Sequence, residues 1–336
     1  MKNNNDTFIE KCVLDGYKDL EPSTVVLIKA AIKHGINYEI INEDKSFIRL
    51  YNDKKEEYIV QATKTSKDKC TFPYLSDNKL LVKDILRKSG ISVPLGVELD
   101  SDMNQRDRNE LIEDYVDKCV VVKPNSTNCG IGITVFDKPA SFKEIKNAVD
   151  KAFKYDSKVI MEDYKKGKEY RFIVIDNKCV AVIQRRNASV VGDGKSTIEE
   201  LIDKKNHETW HLIPERFIII DKSLKTILSK QGYQLDSIPK KDVRVFCRMN
   251  SNISTGGESI DVTNIVPDYF KNVAVKATKQ FNASICGVDI LIDDLNVEEY
   301  SIVELNDNPG IGICECPYEG EGQPIGEIIL KLLGFI

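Results

Sequence analysis

Val120-Val121-Val122-Lys123-Pro124-Asn125-Ser126-Thr127-Asn128-Cys129-Gly130-Ile131-Gly132-Ile133 starts as an apolar strand, reaches a lysine and a proline, passes through a small polar loop with two glycines, and resumes as a strand. A loop of this make-up between two strands can fold its backbone N–H groups over phosphate oxygens, while a lysine leaving the strand adds a point charge. On its own, a glycine-bearing hairpin is only a turn. A second constellation gives it meaning: Asp289 sits in the apolar strand pattern 285–292, and Glu304 and Asn306, two residues apart, share one face of the next. Three oxygen-bearing side chains converging at strand ends suit magnesium, a hard ion that keeps several waters and bridges nucleotide phosphates. Without the lysine loop, the same acids read as solvated charge at strand ends.

Around these two stretches helices and strands mix. Pro22 suits the first turn of a helix with Val25, Ile28 and Ile32 on one face and Gly35 at its end; a strand over 36–41 follows. A second helix is expected to start at Ser76 as N-cap, carry Leu80, Leu81, Ile85 and Leu86 inward, and stop at Gly90. The middle is strand-rich, over 119–123, 131–136, 158–162, 169–176 and 178–184, with tight turns that imply antiparallel sheet. Pro267 opens a helix with Phe270, Ala274, Ala277 and Phe281 on one side, and Ile325, Ile328, Ile329 and Leu332 mark a terminal amphipathic helix.

With 336 residues, 41% hydrophobic and 30% charged, the chain has the composition of a folded protein of about two domains rather than a disordered or fibrous one. Lys plus Arg is 48 against 53 for Asp plus Glu, a net charge of -5, so the chain offers no general cationic field for nucleic acid or an acidic membrane. The opening residues, Met1 to Thr7, lack the apolar core of a signal peptide, and no apolar run approaches the roughly 18 residues of a membrane span. A cytoplasmic protein is expected. The nine cysteines are scattered, mostly in apolar strand-like runs, which suits reduced core thiols; Cys314 and Cys316 alone lie close together, with no second pair at zinc-ligand spacing.

Two short motifs carry a bland reading better than a functional one. His207-Glu208-Thr209-Trp210-His211 has the H-E-x-x-H spacing of a zinc protease, which needs a helix, yet the helix before it runs out near Lys204-Lys205-Asn206 and Pro214 follows closely. Gly192-Asp193-Gly194-Lys195-Ser196-Thr197 looks like the end of a Walker loop, but Ser189 stands where its first glycine belongs; a turn followed by a Ser196/Glu199 capping box, opening a helix that ends near Ile202, fits better.

Taken together, these residues resemble the ATP-grasp superfamily of carboxylate-amine ligases. The stretches 61–67, 122–128, Gly167-Lys168-Glu169-Tyr170-Arg171-Phe172, 190–194, 250–257 and Cys286-Gly287-Val288-Asp289-Ile290 are similar to the ATP-grasp half of the bacterial bifunctional glutamate-cysteine ligase/glutathione synthetases. Cyanophycin synthetases share the Val-Gly-Asp-Gly and Ser-Thr-Gly-Gly segments, but residues 20–95 favour the former. The resemblance implies an α/β (α+β) ATP-grasp fold: an N-terminal α/β domain (1–93), an antiparallel-sheet lid (94–163) and a C-terminal core with the magnesium and substrate site (164–336).

It also implies roles. Lys79 and Lys123 would contact the phosphates of ATP, with Ser126, Thr127, Gly130 and Gly132 in the loop closing over them. Glu162, Asp163 and Tyr164 would form the hinge whose backbone reads adenine, and Glu169 would hold the ribose. Asp289, Glu304 and Asn306 would hold Mg2+, with Mn2+ as a substitute. Arg171, Arg186, Arg248 and the loop of Asn252, Ser254, Thr255, Gly256 and Gly257 would anchor substrate carboxylates and the acyl phosphate, with Arg186, Arg248 and Lys123 as the catalytic cations. The γ-phosphoryl of ATP would pass to a carboxylate, and an amine would attack the resulting acyl phosphate, so no side-chain nucleophile is needed. Asp289→Asn or Glu304→Gln is accordingly expected to remove turnover and leave the fold intact.

The implied reaction joins γ-glutamylcysteine to glycine. The alternatives are a ligase for another amino acid or peptide and, from a different class, a non-catalytic ATP-binding module. The ligase half that makes γ-glutamylcysteine does not precede residue 1, so a separate glutamate-cysteine ligase is implied; partners are otherwise small molecules, with a homodimer allowed. Asp307-Asn308-Pro309-Gly310-Ile311-Gly312-Ile313-Cys314-Glu315-Cys316-Pro317 departs from the more aromatic, histidine-containing stretch of the family, near the expected acceptor site.

Overall fold

The computed structural model describes residues 12–17, 19–127, 130–211 and 216–336. Along the chain run α1 (Pro22–Lys33), β1 (Asn37–Asn42), β2 (Phe47–Asn52), β3 (Lys55–Val60), α2 (Thr71–Ser76), α3 (Lys79–Lys88), β4 (Gly96–Asp100), α4 (Gln105–Glu113), β5 (Val120–Pro124), β6 (Thr134–Phe136), α5 (Phe142–Ala152) and β7 (Lys158–Asp163). Then come β8 (Lys168–Ile175), β9 (Lys178–Arg186), β10 (Ser189–Val191), α6 (Ile198–Asn206), α7 (Lys222–Lys230), β11 (Arg244–Phe246) and β12 (Glu258–Asp261). α8 (Asp268–Lys279), β13 (Ile285–Ile292), β14 (Ser301–Asn306), α9 (Gly312–Glu315) and α10 (Ile325–Leu333) complete the order. Among the described residues no helix is long and apolar enough to cross a membrane.

The chain divides into two compact units, each assembled from separate stretches: Met1–Lys67, Val180–Ile265 and Asn308–Ile336 in the first, Asp68–Cys179 and Val266–Asp307 in the second. Within the second unit, residues 96–163 have a sheet and a core of their own. β4, β7, β5 and β6 lie side by side in that order, all antiparallel. Leu99, Val120, Val122, Val159 and Met161 from the strands pack against Ile112 of α4 and Ile145, Ala148 and Val149 of α5.

The rest of the second unit is built on β13, which pairs antiparallel with β8 on one side and β14 on the other. α8 buries Phe270, Val273, Ala274 and Ala277, the face expected from the sequence. α3 differs from expectation in start and rotation. Asn78 caps it, its side chain accepting from the Leu81 N–H, and a separate short helix, α2, ends at Ser76. Lys79, Val82, Lys83 and Leu86 face inward and Leu81 is exposed. The apolar positions suggested a different face because two inward residues are lysines, which sequence patterning assigns to solvent.

In the first unit β1, β2 and β3 form an antiparallel meander. α1 starts at the Glu21 cap with Pro22 behind it and buries Val25 and Ile28, leaving Ile32 exposed. α10 packs against it, with Ile325, Ile329, Leu330 and Leu333 as its buried face. β9 pairs with β12, and β10 with β11. The core beside β10 and β11 comes from Ile198, Leu201 and Ile202 of α6 and Leu224 and Leu228 of α7. The α6 capping box is Thr197 with Glu200, one residue later than expected, because Asp193 has taken Ser196. The helix then runs to Asn206.

The cysteine expectation is corrected as well. Cys12 and Cys316, 304 residues apart in sequence, form a disulfide in the first unit. Cys247, Cys286 and Cys314 are buried and outside that disulfide. Chain spacing carries no signal for a pairing of that separation.

Gly132 closes the loop after β5 with φ +78°. A β-carbon there would lie 2.7 Å from Pro124 and 3.0 Å from Tyr155. Gly132→Ala is expected to cost about 1–3 kcal/mol through backbone strain and this contact. Urea unfolding checks it; an unchanged midpoint contradicts it.

Candidate active site

In the second unit α3 packs against β14 and β4, and three lysines and a carboxylate meet out of water. Val121 is paired with Glu162 across the sheet, so Lys123, two residues on, shares Glu162's face. The Lys123 Nζ lies 2.7 Å from Glu162 Oε1, and Lys83 donates to the other oxygen, Oε2. Lys79 donates to the carbonyls of Thr127 (2.8 Å) and Asn125 (3.2 Å) and sits 3.3 Å from Glu304 Oε1. Lys79, Lys83, Lys123 and Glu162 are 7, 3, 6 and 2% exposed, so these charges interact with one another rather than with solvent. Burial opposes the charge of Glu162, yet Lys123 and then Lys83 hold its carboxyl below the usual range. Burial likewise opposes Lys123, whose partner Glu162 more than compensates and keeps it above the ordinary lysine value. Lys83 goes the other way: burial, and then the facing Lys123 ammonium, pull it down to about 7.

The sheet register sets the second group. Asp289 of β13 stands directly opposite Glu304 of β14 and opposite Arg171 of β8, and Asn306 is two residues beyond Glu304 on the same face. Arg171 grips Asp289 through both Nε and Nη2, the latter at 2.6 Å to Oδ2, and Asn306 Nδ2 lies 3.4 Å from the same oxygen. Burial works against the Arg171 charge, but Asp289 outweighs it and raises the guanidinium above its ordinary value. Arg171, expected among the substrate anchors, is engaged with Asp289, one of the residues expected to hold the metal. Asp289→Asn would also leave a buried guanidinium without its anion, so Glu304→Gln, at a side chain 27% exposed, is the substitution that leaves the fold intact. Among the described residues no group of three or more His, Cys, Asp or Glu is gathered as a metal site. The expected set is two carboxylates and an amide oxygen, a hard donor group that leaves most of an octahedral ion's positions to phosphate and water.

Asn128 and Cys129 lie outside the described residues. Of the rest of that loop, the Ser126 N–H and hydroxyl both bind Asp156 Oδ2 (2.8 and 2.7 Å), the Thr127 hydroxyl donates to Ile131 O, and Gly130 and Gly132 both have positive φ. At the hinge, the Asp163 N–H donates to Leu95 O and the Tyr164 N–H to Cys119 O. The Glu162 side chain is committed to the lysines. Gly167, before the expected ribose ligand Glu169, has no room for a β-carbon, which would lie 2.9 Å from the Ile292 backbone.

The other residues expected to anchor substrate lie in the first unit. Arg186 binds Glu258 through Nε and Glu319 through Nη2 (3.1 Å), while Lys205 takes the other Glu258 oxygen. Burial opposes the Arg186 charge, and Glu258 more than offsets it, so its pKa is raised. Arg248 makes a two-pronged contact with Asp221 (3.0 and 3.1 Å) and donates to Ile219 O. The 252–257 loop is a 3-10 turn (Ile253–Thr255) closed by the Thr255 and Gly257 N–H groups on Asn252 O; Ser254 lies within it and Gly256 takes φ +87° against Ile218. Lys83, Lys205 and Glu258 escaped the sequence reading; the four-residue spacing of Lys79 and Lys83 on one helix was the available signal.

The two bland motifs stay structural. His207 ends α6 with an exposed ring donating to Asp203 O, whereas His211, in a 3-10 turn, is buried and donates to Arg216 O. The two rings do not share a helical face; Pro214 lies outside the described residues. Asp193 accepts from Lys195 N, Ser196 N and the Ser196 hydroxyl, and the Ser196 contacts foremost hold its carboxyl at about 2, a turn that fixes its own acid.

Three family models match the chain: an ATP-grasp-like domain over residues 18–71, the D-ala D-ala ligase C-terminus over 85–203, and a RimK-like ATP-grasp domain over 247–318. The chain is 43% identical over 328 residues to the glutathione biosynthesis bifunctional protein of Clostridium perfringens and 38% identical over 330 residues to that of Enterococcus faecalis. Each match covers 95% of this chain but only 42% and 43% of the relative, so the chain spans less than half the length of these proteins. Among solved structures, a bifunctional glutathione synthetase from Pasteurella multocida matches with a TM-score of 0.75 at 33% identity, over 98% of this chain and 45% of that one.

Glu162→Gln removes the anion shared by two buried lysines. It is expected to cost about 3–5 kcal/mol, the range for breaking a buried pair by deleting one partner. Denaturant unfolding at pH 7 measures it; a loss under about 1 kcal/mol would contradict the shared-carboxylate account.

Proposed function

We propose that this chain, which belongs to the ATP-grasp superfamily, is an ATP-dependent carboxylate-amine ligase that forms glutathione from γ-glutamylcysteine and glycine through an acyl phosphate. The observation that carries the reading is the buried group of Lys79 and Lys123 beside a sheet face bearing Asp289, Glu304 and Asn306. Cations for a polyphosphate and hard oxygens for its metal lie within one unit.

In this reading Lys79 and Lys123 take the phosphate charge, the 126–132 loop covers it, residues 162–164 and Glu169 hold the nucleoside, and residues 94–163 move as a lid that keeps water from the acyl phosphate. Asp289, Glu304 and Asn306 would hold Mg2+, or Mn2+ in its place, and the ion would bridge and neutralise phosphate oxygens. Arg171 holds Asp289 in place and offsets its charge. Arg186, Arg248 and the 252–257 loop orient the donor carboxylate and stabilise the phosphoryl group as it leaves. Arg186 is held in place for this by Glu258 through Nε and Glu319 through Nη2.

A cytoplasmic setting follows from the reaction, with γ-glutamylcysteine supplied by a glutamate-cysteine ligase activity; the Cys12–Cys316 disulfide is the feature that favours a less reducing place. Assembly as a homodimer is compatible with the reading. A ligase for another acceptor is the second reading, favoured by the 307–317 segment, where Cys316 is tied to Cys12.

Purified protein with ATP and magnesium is expected to release ADP only when both γ-glutamylcysteine and glycine are present, with glutathione as the product by mass. Turnover with a different amine would move the acceptor, and silence with every pair tried would overturn the ligase. Glu304→Gln is expected to lower turnover about 100-fold or more while the melting temperature stays near wild type.

A further inference from the structure

Lys83 has no part in the reaction just described, yet it is as deeply buried as the groups that do and shares a carboxylate with one of them. The charges gathered there are three lysines, 79, 83 and 123, against two carboxylates, Glu162 and Glu304. One positive charge is in excess. The elements around Lys83 do not balance it: β7 offers Glu162, already shared; β5 offers Lys123, of like sign; β14 offers Glu304, paired with Lys79. Glu98 of β4 is held by Lys158 (2.8 Å) and Asn125, and α2 carries no charged residue. On α3 itself, Asp84 pairs with Arg87 at the surface. An uncompensated buried ammonium is costly, and a lysine relieves that cost by giving up its proton.

We propose that Lys83 is a positioning residue that takes up a proton when a nucleotide polyphosphate docks against Lys79 and Lys123, so that nucleotide binding by this chain is coupled to pH. The inference rests on the nucleotide reading above. The polyphosphate, even with its magnesium ion bound, brings net negative charge in place of the missing anion, and a charged Lys83 then holds Glu162 and, through it, Lys123. The balance is simple: one proton moves from solvent to the Lys83 amine and no covalent bond to the ligand forms. Its position near 7 before binding places the effect in the neutral range. By linkage, binding that raises this pKa weakens as pH rises, by up to about tenfold per unit above 7.

Isothermal titration of ATP with magnesium into the wild-type chain at pH 8, in Tris and again in HEPES, reads the protons exchanged. At that pH the nucleotide has already lost its last phosphate proton, near pH 6, and contributes none. About 0.9 proton taken up per nucleotide is expected, the fraction of Lys83 neutral one unit above its midpoint. Lys83→Arg, whose charge is fixed, is expected to bind with no uptake and with an affinity flat from pH 7 to 9. Binding without uptake by the wild type overturns the inference and leaves the nucleotide reading standing, as does uptake undiminished in Lys83→Arg or, should that variant not fold, in Lys83→Met. No binding of ATP at any pH overturns both.

Discussion

Glu162 can lie in the interior only because Lys83 and Lys123 each take one of its oxygens, and the two lysines can lie there only because Glu162 does. That mutual dependence fixes the rotation of α3 about its axis. With Lys83 turned inward, Lys79, one helical turn earlier, must also face inward, where it meets the carbonyls of Asn125 and Thr127 and the carboxylate of Glu304. Helix, β5 loop and the acidic face of β14 are thus tied together by electrostatics as well as by the buried Val82 and Leu86.

The same device recurs in the first unit, where Glu258 is shared between Lys205 and Arg186. The shared carboxylate orients both cations, and Glu319 takes a further contact from Arg186. At Asp289 the arrangement is one to one: Arg171 matches it through two contacts, on strands whose register leaves no other choice. Positive charge held in place beforehand needs little reorganisation when a neighbouring charge shifts.

Much of this was legible from the residues. The strands around Lys123, Asp289 and Glu304, the same-face relation of Glu304 and Asn306, the apolar face of α8 and, apart from the exposed Ile32, that of α1 follow from period and turn chemistry. What escaped has one cause: it depends on partners distant in sequence. Lys83 looks like solvent-facing charge until Glu162, 79 residues on, is beside it; Arg171 looks like a free anchor until register brings Asp289, 118 residues on, opposite it. Cys12 and Cys316 are further apart still. Local patterning sees the periodicity of an element but not which residue waits on the neighbouring one, and buried ion pairs are made across elements.

The acyl phosphate is the centre of the account, and an isotope follows it directly. γ-Glutamylcysteine labelled with 18O in the carboxylate that is to be activated is incubated with ATP, magnesium and glycine, and the phosphate released is analysed by mass. Passage through an acyl phosphate requires one labelled oxygen to leave with phosphate in each turnover, and that is the result predicted. Unlabelled phosphate accompanying glutathione formation would contradict it.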